Sequence, residues 1–193
     1  MAQSSQTISG QKTFKSAITV SEGATFTATG GVYKITAAST SLANLAVRDL
    51  ITITGTTNNN ATFTVKSVDA NGAYITVEET VTTENSDGST DTVLTYSGFV
   101  TDKYKGDGYY SQADGIHTVA YHVNTTCTGA IKMQGSLATT PTEDDWFDIT
   151  GTTFTTDQST TISSNNFTGN FVWVRAKCSS NTAGSVTKIL YNN

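Results

Sequence analysis

The chain has 193 residues, a formal net charge of −5 and only 14% charged side chains, where ordinary soluble domains carry about 25%. That balance speaks against a nucleic-acid groove or an anionic membrane surface as partner, and no apolar run approaches the ~20 residues a membrane helix needs. Met1-Ala2-Gln3-Ser4-Ser5-Gln6 has neither the basic segment nor the apolar core of a secretory signal, so synthesis and folding in a cytosol are expected. Hydrophobic residues make up 36%, and threonine, serine, asparagine and glycine fill the rest, threonine alone being about a fifth of the chain. Threonine is β-branched and suits an exposed strand face, while asparagine and glycine suit tight turns. Eight tyrosines, eight phenylalanines and two tryptophans are too many aromatics for a disordered chain. An all-β protein is the expectation.

Residues 1–30 are sparse in apolar side chains, which fall at Ile8, Phe14, Ile18, Val20 and Phe26 between glycines. Such a stretch cannot bury a core alone. An extended N-terminal arm is therefore expected, with these five residues as the assembly interface, since a strand exposing apolar residues is a template for pairing.

Residues 31–100 read as about five strands. They are Val32–Thr36, the alternating Asp49–Gly55, Ala61–Val65, Tyr74–Val77 and Val93–Tyr96. Thr57-Asn58-Asn59-Asn60 is a turn signal, and Asn71-Gly72 is the preferred pair for a tight hairpin. Five strands suit a small β-barrel-like domain. The polar stretch Glu84–Asp91 is a hairpin tip, and the oxygens of Asp87–Asp91 lack the full calcium-loop pattern.

Residues 101–193 contain Ile116–Val123, Ala130–Leu137, Trp146–Ile149, Thr160–Ile162, Phe171–Lys177 and Val186–Tyr191 as strands separated by Gly, Asn and Ser. Short strands at this spacing indicate an antiparallel β-sandwich. Phe171, Trp173 and Val174 are expected in a strand buried on both faces, and Thr142–Trp146 as one helical turn.

Chemistry-bearing residues are few. His117 and His122 stand an odd number apart on one strand, so they point to opposite faces and share no ligand. Glu143-Asp144-Asp145 places carboxylates side by side rather than across a cleft, unlike a glycosidase pair. Cys127 and Cys178 lack metal-knuckle spacing; two buried thiols is the simpler reading, a disulfide between neighbouring strands the other. No nucleophile elbow, phosphate loop or zinc-protease motif is present, so neither an enzyme nor a cofactor is expected. Tyr109, Tyr110 and Trp146 are the candidate glycan contacts, as a stacking platform for sugar rings.

Thr7-Ile8-Ser9-Gly10-Gln11-Lys12-Thr13-Phe14, followed by Ile18-Thr19-Val20, resembles stretches found in tail fibres and other appendages of tailed bacteriophages, where they form trimeric stalks or attachment arms. Leu45–Val65 is similar to a small β domain of phage structural proteins, although this chain carries Arg48 and Ala61 where that family commonly has glycine nearby. Asp107–Tyr110, Asp145–Phe147 and Gly184–Tyr191 resemble a β-sandwich of marine and cyanobacterial phage structural proteins. The resemblance implies a virion protein, a homotrimeric short fibre or capsid or tail decoration, docking on other virion proteins through residues 1–30. A host-surface glycan-binding module is the rival, compatible with it; a secreted adhesin is weakened by the missing signal peptide.

Overall fold

The computed structural model describes residues 6–9, 12–13, 23–37, 40–85, 92–111, 115–180 and 183–193. The protein is all-β, as its composition predicts. In chain order the strands are β1 (Gln6–Ser9), β2 (Lys12–Thr13), β3 (Ala24–Thr29), β4 (Val32–Ala37), β5 (Asp49–Thr54), β6 (Thr62–Val68), β7 (Tyr74–Val77), β8 (Glu84–Asn85), β9 (Val93–Val100), β10 (Tyr104–Lys105), β11 (Ile116–Val123), β12 (Ala130–Ser136), β13 (Phe147–Asp148), β14 (Phe154–Thr155), β15 (Ile162–Thr168), β16 (Trp173–Ser179) and β17 (Ser185–Asn192). They form two compact units, one joining Met1–Phe14 to Val100–Asn193 and the other Lys15–Phe99.

Within Lys15–Phe99 the strand order is β9-β5-β6-β7-β4-β3-β8. Among the described residues the ends of this ladder do not pair, so the small barrel-like domain expected here is not a closed barrel. Strand β6 is where the sheet bends. Its first residues pair with β5 and its last with β7, and the register shifts between Val65 and Ser67. An extra residue at such a point increases local twist and lets two halves of a sheet cover one core. Phe26, Ile35, Leu42, Ile51 and Ile75 are fully buried in this unit. Phe26 therefore does not serve assembly between chains: it is a core residue of β3, which pairs with β4 along its whole length.

Two turns in this unit constrain their residues. The β6–β7 connection was expected to be a two-residue hairpin at Asn71-Gly72 but spans residues 69–73. The Asp69 carboxylate accepts a hydrogen bond from the Asn71 N–H (3.0 Å), and the Gly72 N–H donates to the Asp69 carbonyl (2.9 Å). Gly72 has φ +71°, and a Cβ there would lie 2.4 Å from the Ala43 nitrogen. Both facts demand glycine. Arg48 also lies in the left-handed region, at φ 72°, its N–H donating to the Val65 carbonyl at 2.7 Å. That conformation is one glycine adopts without a Cβ penalty.

The other unit is a sandwich. One sheet has the order β1-β17-β11-β15, with β2 also on β17. The facing sheet is built on β12 and β16, with β13 and β14 on β12 and β10 on β16. Along β11, His117, Val119, Tyr121 and Val123 are buried and alternate with outward residues, the pattern of a half-buried strand. The N-terminal segment does not extend from the molecule where it is described: β1 and β2 pair with β17 in the same chain. The register shifts between Thr7 and Ser9, which places a bulge at Ile8. The Ile8 side chain, Phe14, Ile18 and Val20 lie outside the described residues, as does the Asp87–Asp91 loop.

Tyr121 and Tyr191 are the largest fully buried side chains. The Tyr121 hydroxyl donates to the Thr152 carbonyl at 2.7 Å, and the Tyr191 hydroxyl lies 2.8 Å from His117 Nδ1. Burial pushes both phenols well above the usual tyrosine range, and the Asp107 charge adds to the effect on Tyr191.

A left-handed φ costs a side-chain-bearing residue about 1–2 kcal/mol, and a β-branched one is a genuine outlier there. Arg48→Gly should therefore hold or raise the melting temperature and Arg48→Val lower it, read from parallel thermal melts. Unfolded tyrosines ionise near pH ~10, while Tyr121 and Tyr191 stay neutral in the fold. Their contribution is complete below that pH and is lost as pH rises past it, so denaturant midpoints should fall steeply above pH ~10, less so in Tyr121→Phe.

Candidate functional site

Strand β16 organises the outer face of the sandwich. Val174, Ala176 and Cys178 are fully buried, so the period of two along a strand turns Trp173, Arg175 and Lys177 outward. On β12, Ser136, Gln134 and Lys132 stand opposite these three. Trp173, expected in a strand buried on both faces, is only half-buried, because loops rather than a third sheet cover this side.

Arg175 is the anchor of this face. Its side chain is 4% exposed and forks onto Glu143, with Nη1 to Oε1 at 2.8 Å and Nη2 to Oε2 at 2.6 Å. Arg175 Nε donates to Gln134 Oε1 at 2.9 Å, and the guanidinium lies 4.3 Å from the Trp146 ring centroid. Gln134 Nε2 passes the network to Asp148, which also pairs with Lys132. Burial works to raise the Asp148 carboxyl, but the bonds from Lys132 and Gln134 outweigh it and hold it below the usual carboxylate range.

The acidic run is used structurally. Glu143–Asp145 is a single 3-10 turn, close to the helical turn expected at Thr142–Trp146. Asp145 Oδ2 accepts from the Thr142 N–H and hydroxyl at 2.7 and 2.8 Å, which closes the turn as a capping box and holds the Asp145 carboxyl below its usual range. Glu143 is occupied by Arg175.

A second cluster sits at the other end of the same strand face. The Trp173 indole N–H donates to the Thr139 carbonyl at 3.0 Å. The Tyr109 ring lies 5.1 Å from Trp173, and Tyr110 lies 5.3 Å from Tyr109 in an edge-on arrangement. Both tyrosines are nearly half exposed. Lys105 pairs with Trp173 across the β10–β16 ladder and puts its Nζ 4.0 Å from the Tyr109 centroid; Lys103 Nζ is 4.6 Å from that of Trp173.

The backbone fixes this cluster. Tyr109 and Tyr110 end a 3-10 turn, Asp107–Tyr110, whose N–H groups at Gly106 and Gly108 bond to the carbonyls of Val172 and Phe171. A Cβ on Gly106 would lie 2.4 Å from the Phe171 oxygen, so the turn packs directly on the backbone leading into β16. Asp107, at the start of the turn, is fully buried and comes within 4.0 Å of His117 Nε2. His117 is also held by the Gly169 carbonyl at 2.7 Å and stacks on Phe167.

The sequence-predicted residues thus divide. Tyr109 and Tyr110 are together and exposed, whereas Trp146 has Arg175 over its ring. His117 is a core residue, and His122, on the opposite face of β11, is half-buried. Its imidazole is held below the usual range by burial and by Lys188. Cys127 and Cys178 are both buried, and no disulfide joins them. Trp173, for which core packing was favoured over a place in the aromatic platform, stands beside the tyrosines; Lys103 and Lys105 were not singled out, and the Lys103-Tyr104-Lys105 alternation just ahead of the tyrosine pair was the available signal. Among the described residues no cluster of His, Cys, Asp or Glu is arranged to hold a metal ion, and no helix is long and apolar enough to cross a membrane. The chain matches no protein-family model, no curated protein and no solved structure.

A buried guanidinium stripped of its carboxylate is costly, by about 3 kcal/mol or more, whereas replacing both partners by apolar groups is often neutral. Glu143→Gln should lower urea-denaturation stability by roughly that amount, and the Glu143→Met, Arg175→Met double variant should recover most of it.

Proposed function

We propose that this chain is a non-enzymatic structural protein of a tailed-phage particle, a homotrimeric short fibre or a capsid or tail surface decoration. It is made in the host cytoplasm and resides in the virion. The observation that carries this reading is the position of the stretch that resembles phage appendages: Gln6–Ser9 forms the edge strand of the sandwich sheet, beside the last strand of the chain. An edge strand presents a row of backbone donors and acceptors to which another chain can add. Ile8, Phe14, Ile18 and Val20 are the apolar positions of this assembly interface; Phe26 drops out because it is buried in its own unit. The partners are two further copies and other virion proteins.

Light scattering on the full chain should give three times 20.4 kDa, and Phe14→Asp with Ile18→Asp should reduce it to a single chain while circular dichroism is unchanged. A full chain that runs as a monomer, or a variant that still trimerises, removes the N-terminal interface. Mass spectrometry of gradient-purified particles from the source should find the chain at many copies per particle; its absence removes the virion reading.

A second reading, compatible with the first, is that the sandwich binds a host-surface glycan. The exposed Tyr109–Tyr110 pair beside Trp173 favours it, since aromatic faces with polar tips suit contact with sugar rings.

A further inference from the structure

We propose that Lys103, Lys105, Tyr109, Tyr110 and Trp173 form a binding site for an acidic saccharide, one bearing carboxylate or sulfate groups. The inference rests on the glycan-binding reading and goes beyond it by naming the ligand's charge and the residues that meet it.

The basic residues of this face fall into two groups. Arg175 and Lys132 have carboxylate partners, Glu143 and Asp148, and Lys177 acts on the Asp148 carboxyl as well. Lys103 and Lys105 have none within 4.0 Å among the described residues; their ammonium groups lie over aromatic rings instead, Lys105 between Tyr109 at 4.0 Å and Tyr110 at 5.7 Å. The neighbouring acids do not cancel them: Asp107 is buried and turned towards His117, and Asp102 is exposed on the chain beside Lys103 with interactions of its own. In a chain with 11 basic and 16 acidic residues, two cations left on ring faces are a local reversal of sign.

A lysine over an exposed ring is weakly held, and its long stem lets the ammonium swing to a better partner. An anionic group arriving between Tyr109 and Tyr110 would form charge-assisted bonds stronger than the ring contact it displaces. The vacated ring faces and the two phenol hydroxyls would then meet a sugar's C–H face and hydroxyls. Nucleic acid is the poorer fit, because a phosphate at every nucleotide along a long strand would be repelled by the net −5 of the chain, whereas a short saccharide need bring only the one or two anions that the two lysines meet. Arg175 and Trp146 are excluded from the site because they are already committed to each other and to Glu143.

The test is a panel of uronate-, sialate- and sulfate-bearing oligosaccharides, each beside its esterified or unsubstituted neutral counterpart, titrated against tryptophan fluorescence of the full chain. At least one acidic member should bind saturably and its neutral counterpart at least tenfold more weakly. Lys103→Gln with Lys105→Gln, and separately Tyr110→Ala, should each weaken binding at least tenfold with the circular dichroism unchanged. Lys66→Gln, in the other unit, should leave it as it was. Equal binding of acidic and neutral members overturns the charge requirement while leaving a sugar platform. Equal binding of polyglutamate that is indifferent to Tyr110→Ala overturns the saccharide assignment in favour of bulk electrostatics. A panel with no binder overturns the site. None of these outcomes touches the trimer mass or the presence of the chain in particles, so the failure of this inference and of the structural reading are told apart.

Discussion

Strand β16 buries Val174, Ala176 and Cys178 completely, and the two-residue period of a strand leaves Trp173, Arg175 and Lys177 on the opposite face. Everything on that face follows from this alternation. A guanidinium forced outward beneath covering loops must be neutralised, and Glu143 does so through two parallel bonds. The turn that carries Glu143 is closed by its own Thr142–Asp145 capping bonds, so the carboxylate is delivered by a rigid element. Trp146, next along the chain, then closes over the guanidinium.

The tyrosine pair depends on the same strand through the backbone. Glycine at 106 and 108 lets the Asp107–Tyr110 turn lie against the Phe171 and Val172 carbonyls. Within that one turn Asp107 faces the core and Tyr109 and Tyr110 face outward. Asp107 and His117 occupy the interior together with Tyr191, which ties the turn to β11 and β17 of the facing sheet. The exposed rings are therefore anchored by buried polar contacts on one side and by Trp173 on the other, and a rigid aromatic surface loses little entropy when it meets a ligand. A fibre or decoration protein presenting such a surface joins the two functional readings without a change in either.

Much of the architecture was legible because strands announce themselves by alternation. Ile116–Val123 reads as buried and exposed residues in turn, and β11 occupies those same residues. The separation of His117 from His122 placed them on opposite faces for the same reason. Phe26 misled because one apolar residue among threonines looks the same whether its strand pairs with a neighbour in its own chain or with another molecule. Trp173 misled because a dense apolar run does not reveal whether its second face meets a sheet or a loop. Lys103 and Lys105 went unremarked because a lysine's role depends on whether a carboxylate lies near it in space, and their rings come from residues up to 70 positions away.

The residues alone determined the β class, the short turns, the low charge and the position of the long strands, because these depend on local backbone preference and on the two-residue period. Only the tertiary structure decided that the first strands return to pair with the last one, that β3 places Ala24 and Phe26 in the core of the smaller unit, and that its sheet stays open. It alone decided that Arg175 and Lys132 meet carboxylates while Lys103 and Lys105 rest on aromatic rings. Pairings such as Thr25 with Asn85 or Gln6 with Tyr191 are settled by which surfaces can be buried together, and that competition is not written in any local pattern.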